Sequence, residues 1–538
     1  MPKNIIICSD GTGNTAIKNR GTNVFKLFEA IDLNGHRIDP LLDPQVAFYD
    51  DGVGTETFLP LKLLGGAFGF GLAKNVRNLY MDLVRVYDPG DTNTPADRIY
   101  LFGFSRGAFT VRTLAGLIAK CGVLDRDKLG TTDALRKAVR KAYSTYRRSY
   151  RTWLGGVVNG ILVGLGLRRA DADAMAQFKL DNSIPAEVRI RFMGVWDTVD
   201  AVGGPFHTSD VINAVFHRFK FPDQILSDKV DQAAHALSID EARAAFGPVL
   251  WEAKPTVEQV WFAGVHSNIG GGYTKQGMSL VTLDWMMQKA QLNGLRILVD
   301  DRKNYWEHAN VDDKLYDSRA GLGVFYRWKP RNMQKVWMDQ KAGVLPPVHL
   351  SVLERIAHGT DGYAPGTLAP NVSVTFTSTA DSTQNEALTV RAQAAKAALD
   401  GAYARCGSDL QKARGTVFIG RIAYYLYVLC CVGTILAASV PPEVGSRRNP
   451  WTVFKNAGTL IYDAVTAQWA PLSYAVKRLV TDPKLIGMLL AGFAVSGALA
   501  YYVDHKRSLI FSRYWHDARQ DLRNALKSAR SVLLDERQ

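Results

Sequence analysis

The chain has 538 residues, 47% of them hydrophobic and 22% charged, and a formal net charge of +14. This length allows about two to four domains, and the composition is that of a packed globular protein, which excludes a single small binding module, a disordered chain and a repeat array. The five cysteines form no Cys-x-x-Cys pair, which argues against a disulfide framework or a zinc knuckle and indicates a reducing compartment.

The first residues lack the long apolar stretch of a secretory signal, so we expect the N-terminus in the cytoplasm. Short apolar runs then predict β-strands at residues 4–8, 45–49, 98–102, 188–195 and 257–264, with helical stretches between them. This alternation predicts a doubly wound, mainly parallel α/β sheet that is buried on both faces. Ligands of such folds bind beyond the carboxyl ends of the strands, so the loops after the strands should carry the chemistry.

The loop after the first predicted strand, residues 10–14, is rich in glycine. Because glycine lets backbone amides approach a ligand, we expect Asp10, Gly11 and Thr12 to border an oxyanion site. A phosphatase loop of the form D-x-D-G-T would need aspartate at Cys8, so that alternative fails. A second glycine cluster at 65–71 has neither a Gly-Lys-Ser/Thr ending nor a preceding strand, and is expected to be a packed loop and helix start beside the site.

The third predicted strand runs into Gly103-Phe104-Ser105-Arg106-Gly107, and a helical pattern follows. A G-x-S-x-G sequence between a strand and a helix is typical of a nucleophile elbow, in which the glycines permit the tight turn that exposes the serine hydroxyl. The alternative is an ordinary glycine-rich turn. We predict that Ser105 is the nucleophile and that the backbone N–H of Arg106 is an oxyanion donor.

A serine nucleophile needs a histidine base that a carboxylate orients. Asp197 directly follows the fourth predicted strand, and His266 directly follows the fifth and precedes a glycine run. Both stand in the chain order Ser, Asp, His that this kind of site uses. Asp200 is the alternative carboxylate, and the alternative for His266 is a structural histidine in a loop.

Between the predicted nucleophile and Asp197 lies a basic stretch, residues 136–151, with seven Lys and Arg and no acid. Fifteen uncharged residues, 153–167, follow it and are too short to span a bilayer. This cap insertion, about 124–185, either dips into an anionic membrane surface or is a buried helix of an enlarged cap.

The C-terminal quarter is basic and contains two long apolar runs. Residues 404–538 hold 18 Lys and Arg against 9 Asp and Glu, and the runs are residues 417–440 and 485–503. Tyrosines within the runs and Lys and Arg just outside them resemble interfacial anchors, so we predict a transmembrane hairpin, with buried core helices as the alternative. No nucleic-acid-binding module is recognisable, and we expect no nucleic-acid partner.

These observations divide the chain into a catalytic domain, a linker with a helix, a hairpin and a basic helical tail. The predicted bounds are 1–370, 371–416, 417–503 and 504–538.

Several motifs together resemble a known family. They are CSDGTGN, YDDGVGT, GGAFGFGLAKNVRNLY, YLFGFSRGAFTVRTL, FMGVWDTVDAVGG, HALSIDEARAAFGPVLW, QVWFAGVHSNIGGGY and HLSVLERI, in order over residues 1–370. The set is similar to the uncharacterised α/β-hydrolase family DUF2235, which includes the Tle1 group of type VI secretion phospholipase effectors. The resemblance implies an α/β-hydrolase fold, a triad at Ser105, Asp197 and His266, and phospholipid ester hydrolysis for some relatives. The two apolar runs depart from a plain secreted effector.

The leading hypothesis is a membrane-associated serine esterase or lipase that acts on a phospholipid or another acyl ester. The alternatives are a tethered esterase, thioesterase or peptidase with a soluble substrate, and a non-catalytic membrane scaffold. We expect no cofactor and no metal. The predicted location is a bacterial inner membrane, with the catalytic domain in the cytoplasm.

Overall fold

The computed structural model describes residues 1–11, 21–52, 66–148, 171–199, 225–320, 326–338, 344–368, 371–379, 381–438 and 483–535. Three sequence predictions fall outside these residues: Thr12, Asp200 and the apolar cap segment 153–167.

One parallel sheet forms the centre of the molecule. In the described part of the chain it has eight strands in the order β2-β1-β3-β4-β5-β6-β7-β8. The strands are β1 Asn4–Ser9, β2 Gln45–Asp50, β3 Arg98–Phe104, β4 Ile190–Trp196, β5 Val230–Ser238, β6 Val257–Phe262, β7 Pro347–His349 and β8 Ser373–Thr375. The predicted doubly wound, α/β-hydrolase-type fold is confirmed. Strand order reverses between β1 and β3, where open α/β sheets place their ligand crevice.

Three strands were not predicted from the sequence. β5 is rich in alanine and carries Asp231, Gln232 and His235, while β7 and β8 have three residues each. Alanine and polar residues have little intrinsic preference for strands, so pairing with β4 and β6 determines the conformation of β5.

Helices cover both faces of the sheet. They are α1 Asn23–Glu29, α2 Gly35–Ile38, α3 Gly66–Val86, α4 Arg106–Cys121, α5 Arg126–Leu129, α6 Thr132–Arg148, α7 Asp171–Asn182, α8 His266–Gly270, α9 Gly277–Leu292, α10 Val299–Glu307, α11 Met333–Met338, α12 Leu350–His358, α13 Ser382–Ala438 and α14 Pro483–Asp535. Because side chains alternate along a strand, Ile5 and Ile7 belong to one core cluster, with residues of α3, α4 and α6, and Ile6 and Cys8 belong to a second one on the other face, with residues of α1 and α9.

The longest described helix of the cap, α6, is amphipathic and packs on the catalytic core. α6 buries Leu135, Val139 and Tyr146 and leaves Lys137 and Arg140 exposed. The described part of the basic stretch, residues 136–148, therefore belongs to a packed cap, with Lys137 and Arg140 on its outer face.

The two C-terminal helices contribute to a third core cluster together with α12. Buried residues from the first half of α13, such as Leu399, and from the second half of α14, such as Trp515 and Leu522, pack with Leu353 and Ile356. The predicted boundaries at 416 and 503 fall inside continuous helices of 57 and 53 residues. The predicted linker and basic tail thus pack against the sheet domain, because helical periodicity continues on both sides of each apolar run.

The apolar parts of α13 and α14 project a largely exposed apolar surface. The segments Thr416–Thr434 and Ile486–Lys527 contain stretches long and apolar enough to cross a membrane. Exposed side chains on them include Phe418, Leu429, Leu490 and Tyr501.

We expect Trp515→Ala to lower the free energy of unfolding by about 3–5 kcal/mol, because it opens a cavity in the third core cluster. Trp515 is 1% exposed, and its indole N–H donates to the carbonyl of Pro365 at 3.3 Å. Urea unfolding of the full chain in detergent measures the loss. Trp306, which is 61% exposed, gives a matched control, and equal losses for both alanine variants would contradict the packing of the tail.

Candidate active site

Ser105 lies at a sharp turn between β3 and α4. Its backbone has φ 57° and ψ −120°, in a region that residues other than glycine rarely adopt. A Cβ at Gly107 would overlap the carbonyl oxygen of Ser9, and one at Gly103 would press on the backbone of Gly107. Glycine is therefore required on both sides of the serine, and the turn has the geometry of a nucleophile elbow.

His266 follows β6 and lies between Ser105 and Asp197. Its Nε2 is 2.7 Å from Ser105 Oγ, and its Nδ1 is 2.6 Å from Asp197 Oδ2. A proton on Nδ1 lets the ring donate to the carboxylate, which leaves Nε2 free to accept the serine proton. The rings of Phe104 and Phe246 pack against the imidazole with centroids 4.6 and 5.0 Å away.

The surroundings of His266 favour the neutral form of its ring. Burial lowers its pKa from the usual 6.5, although hydrogen bonding and attraction to Asp197 oppose that change. A neutral imidazole is the form that can accept a proton, so the environment favours its use as a base.

Asp197 follows β4 and is fully buried. Its backbone φ is 38°, and Oδ1 accepts the N–H of Ser238 at 3.0 Å. Burial raises the pKa of this carboxyl, but the Arg331 guanidinium and the His266 ring outweigh burial and hold it below its usual range. Asp197 is thus an ionised carboxylate that is buried from solvent.

Arg331 binds Asp197 with two parallel hydrogen bonds and was not predicted. Its two terminal nitrogens lie 2.7 and 2.8 Å from the two carboxylate oxygens, and they also donate to the carbonyls of Ser238 and Phe246. Arg331 reaches this place because residues 327–331 hydrogen-bond in antiparallel fashion to residues 241–244. No local pattern marks an arginine in a loop 134 residues from its partner.

The loop after β5 brings two further carboxylates to the site. Glu241 accepts the backbone N–H of His266 at 3.3 Å and the hydroxyl of Ser318 at 3.0 Å, and pairs with Arg243. Asp240 accepts the N–H of Gly264 at 2.7 Å, and burial raises its pKa to about 6. Both residues closely follow β5. A sequence pattern that predicted β5 would therefore also have indicated these two carboxylates as site residues.

The first loop lies against the elbow, and the structure describes it as far as Gly11. Asp10 is buried, and its carboxylate accepts hydrogen bonds from Gly11 N–H at 2.6 Å, from Tyr49 OH at 2.7 Å and from Thr22 Oγ1. The amide of Gly11 therefore points at Asp10 in this structure. The N–H of Arg106 is the first of α4, directly after Ser105.

Within the described ranges, no group of three or more His, Cys, Asp or Glu side chains is arranged to hold a metal ion. The arrangement of Ser105, His266 and Asp197 is suited to acyl transfer by proton relay.

More than half of the chain matches a known family. Residues 3–289 match the family model described as T6SS, phospholipase effector Tle1-like, catalytic domain. The chain belongs to the Tle1-like catalytic domain family. The match includes Ser105, Asp197 and His266, and the predicted family resemblance is confirmed.

Individual relatives are distant. The uncharacterized protein YEL023C of Saccharomyces cerevisiae is 28% identical over 272 residues, which are 48% of this chain and 34% of the yeast protein. This chain thus spans about a third of that relative's length. An uncharacterized protein from Pseudomonas aeruginosa aligns over 94% of this chain and 63% of its own, with 15% identity and a TM-score of 0.33. The Tle1 effector bound to the VgrG spike from the type 6 secretion system aligns over 51% of each chain, with 16% identity and a TM-score of 0.25.

Proposed function

We propose that this member of the Tle1-like family is a membrane-associated phospholipase that cleaves acyl esters with Ser105, His266 and Asp197. The observation that carries the proposal is the continuous hydrogen-bonded path from Ser105 Oγ through both ring nitrogens of His266 to Asp197 Oδ2. A lone serine hydroxyl is inert at neutral pH, and this path supplies the base that activates it.

The reaction has two acyl-transfer steps. Ser105 Oγ attacks the ester carbonyl while His266 takes the hydroxyl proton, and the tetrahedral intermediate collapses when His266 returns that proton to the departing alkoxide. Water then attacks the acyl-serine, again with His266 as base, and releases the fatty acid and the free serine. The Asp197 carboxylate stabilises the imidazolium in both steps.

The negative charge of each intermediate needs hydrogen-bond donors. Arg106 N–H is the first candidate, because it follows the nucleophile at the start of α4. The loop at Asp10, Gly11 and Thr12 is the second. Since the Gly11 amide now donates to Asp10, a contribution from that amide requires a local rotation of the loop on substrate binding.

A phospholipid substrate is favoured by the family and by the exposed apolar surface of α13 and α14. A soluble ester, thioester or peptide substrate is the second candidate. It would require the same triad, so only a substrate comparison separates the two.

Covalent labelling tests the catalytic proposal. A fluorophosphonate probe phosphonylates an activated serine, so we expect one labelled peptide containing Ser105 in the full chain. Ser105→Ala should remove the label, whereas Ser144→Ala, which removes an exposed serine of α6, should keep it. Labelling of the Ser105→Ala variant would reject Ser105 as nucleophile, and no labelling of the wild-type chain would favour a scaffold.

The pH dependence should show the lowered pKa of His266. Activity needs the neutral ring and falls as pH drops through that pKa, so kcat/KM on a water-soluble ester should have an acid limb centred below pH 6.5. Initial rates between pH 4.5 and about 8 measure the limb. A midpoint above 6.5 would mean that attraction to Asp197 outweighs burial.

Membrane association follows from the two apolar helices if they insert as a hairpin. The full chain should then resist extraction by alkaline carbonate. Leu429→Glu combined with Leu490→Glu should shift it to the supernatant, because a charged side chain within a span costs up to about 2.5–3.5 kcal/mol at its centre. Leu180→Glu combined with Leu292→Glu, at exposed leucines of the catalytic domain, is the matched control. Equal extraction of both double variants would contradict the hairpin.

A further inference from the structure

A cavity of about 570 Å³ lies where the catalytic domain meets the two apolar helices. Its wall combines residues near the β5 loop, residues near Arg331, and Val417, Arg421 and Arg507 from α13 and α14. We call it the cationic cleft, because its described lining residues include no Asp or Glu and six cations, which are Arg243, Lys329, Arg331, Lys335, Arg421 and Arg507.

Much of this positive charge is not neutralised. Arg243 pairs with Glu241 and Arg331 pairs with Asp197. For Lys335, Arg421 and Arg507, no carboxylate in the described part of the chain lies within ion-pair distance. The cleft therefore carries an excess of positive charge, which attracts an anionic ligand.

The cleft lies at one end of both apolar runs, where lipid headgroups would lie if the hairpin spans a bilayer. Arg507 stacks on the ring of Trp328 at 4.7 Å, and Trp328 packs closely against Gly420 of α13. Arg327 donates to Tyr425 OH at 3.0 Å. Arginine, tryptophan and tyrosine at the end of an apolar span are typical of the membrane–water interface.

A second cavity of about 420 Å³ adjoins the cleft between the two apolar helices. Tyr427, Phe493, Ala500 and Val503 line it, and Arg507 lines both cavities. Its wall also carries Arg319 and Asp504, but most of its described lining residues are apolar or aromatic. The pair of cavities therefore has one cationic compartment and one mostly apolar compartment.

We propose that the cationic cleft binds the phosphate of a bilayer phospholipid whose proximal acyl chain occupies the adjoining cavity. Arginine is suited to this ligand because its planar guanidinium binds phosphate oxygens in pairs. The lipid would hold the catalytic domain against the ends of the two apolar runs. The site adjoins the segment 327–331, whose last residue, Arg331, binds Asp197. The inference rests on the proposed membrane association and not on the hydrolytic activity.

The test is equilibrium binding to the full chain in non-ionic detergent, with Ser105→Ala as the parent so that lipid is not turned over. The probes are phosphatidylglycerol, diacylglycerol without phosphate, and inorganic phosphate. We expect saturable binding of one phosphatidylglycerol. Inorganic phosphate should bind at least about 10-fold more weakly, because it leaves the mostly apolar compartment empty, and diacylglycerol should show no saturable binding.

Lys335→Gln combined with Arg421→Gln should weaken phosphatidylglycerol binding about 10-fold or more, since two exposed cations are lost. Arg85→Gln combined with Lys303→Gln removes the same charge from exposed sites outside the cleft and should leave binding unchanged. Lys335→Arg combined with Arg421→Lys should retain most of the affinity. Equal affinity of the cleft and control variants, or saturable binding of diacylglycerol, would overturn the proposal.

Inorganic phosphate binding as tightly as phosphatidylglycerol would also overturn it, in favour of a free phosphate ligand. The outcome is independent of catalysis. If the chain binds lipid in the cleft but hydrolyses no ester, the lipid site stands and the phospholipase proposal is rejected. If the chain hydrolyses phospholipid but its lipid binding does not depend on the cleft, the phospholipase proposal stands and the lipid site is rejected.

Discussion

Ser105→Ala and His266→Ala should each lower kcat by about 10³-fold or more on any acyl ester that the wild-type chain cleaves. The reason is that the serine and the imidazole act as one unit across a single 2.7 Å hydrogen bond. The double variant should therefore be hardly slower than either single variant. Steady-state kinetics with a chromogenic ester measure all three.

The carboxylate assignment has its own control. Asp197→Asn should also cause a large loss, because the ring would no longer be held in the tautomer that leaves Nε2 free. Asp200→Asn should have a much smaller effect. If the losses at Ser105 and His266 multiply, or if Asp200→Asn is the more damaging change, the proposed triad is wrong.

Replacing Arg331 should shift the pH dependence as well as the rate. Arg331→Gln removes a buried positive charge from Asp197, so the carboxylate attracts the His266 proton more strongly and the pKa of His266 rises. A higher pKa means that the ring is protonated at higher pH. The acid limb of kcat/KM should therefore move to higher pH, and kcat should fall about 10²-fold from lost positioning.

Arg331→Gln also leaves a buried carboxylate unpaired, which costs roughly 3–5 kcal/mol of stability. Two further variants separate positioning from folding. Arg331→Lys keeps the charge and should shift the limb less, while Arg355→Gln removes another fully buried arginine, one that binds the carbonyl of Asp313, and should destabilise the chain without moving the limb. An unmoved limb in Arg331→Gln, or the same movement in Arg355→Gln, would show that Arg331 is only structural.

The sequence was sufficient for the parts of the site that local rules govern. β1, β3, β4 and β6 are runs of strongly apolar residues, and the position directly after a buried parallel strand is informative by itself. That is why Ser105, Asp197 and His266 could be predicted in their order. In the structure the His266 ring contacts both of the other side chains.

The rest depends on contacts between distant segments. Arg331 lies in an irregular loop. Glu241 follows β5, whose alanines and polar residues do not predict a strand. Neither residue is therefore marked by a local sequence pattern. The packing of Trp515 beside α12 could not be predicted either, because a basic amphipathic helix after an apolar run fits a free tail as well as a core helix.

Release of fatty acid from phospholipid vesicles is the decisive measurement for the proposed phospholipase activity of Ser105. The full chain, reconstituted in detergent or bilayers, is incubated with vesicles of phosphatidylethanolamine and phosphatidylglycerol, and the products are identified by mass spectrometry. We expect free fatty acid and lysophospholipid from the wild-type chain and none above background from Ser105→Ala. Hydrolysis of a soluble ester without release from vesicles, or equal release by Ser105→Ala, would contradict it.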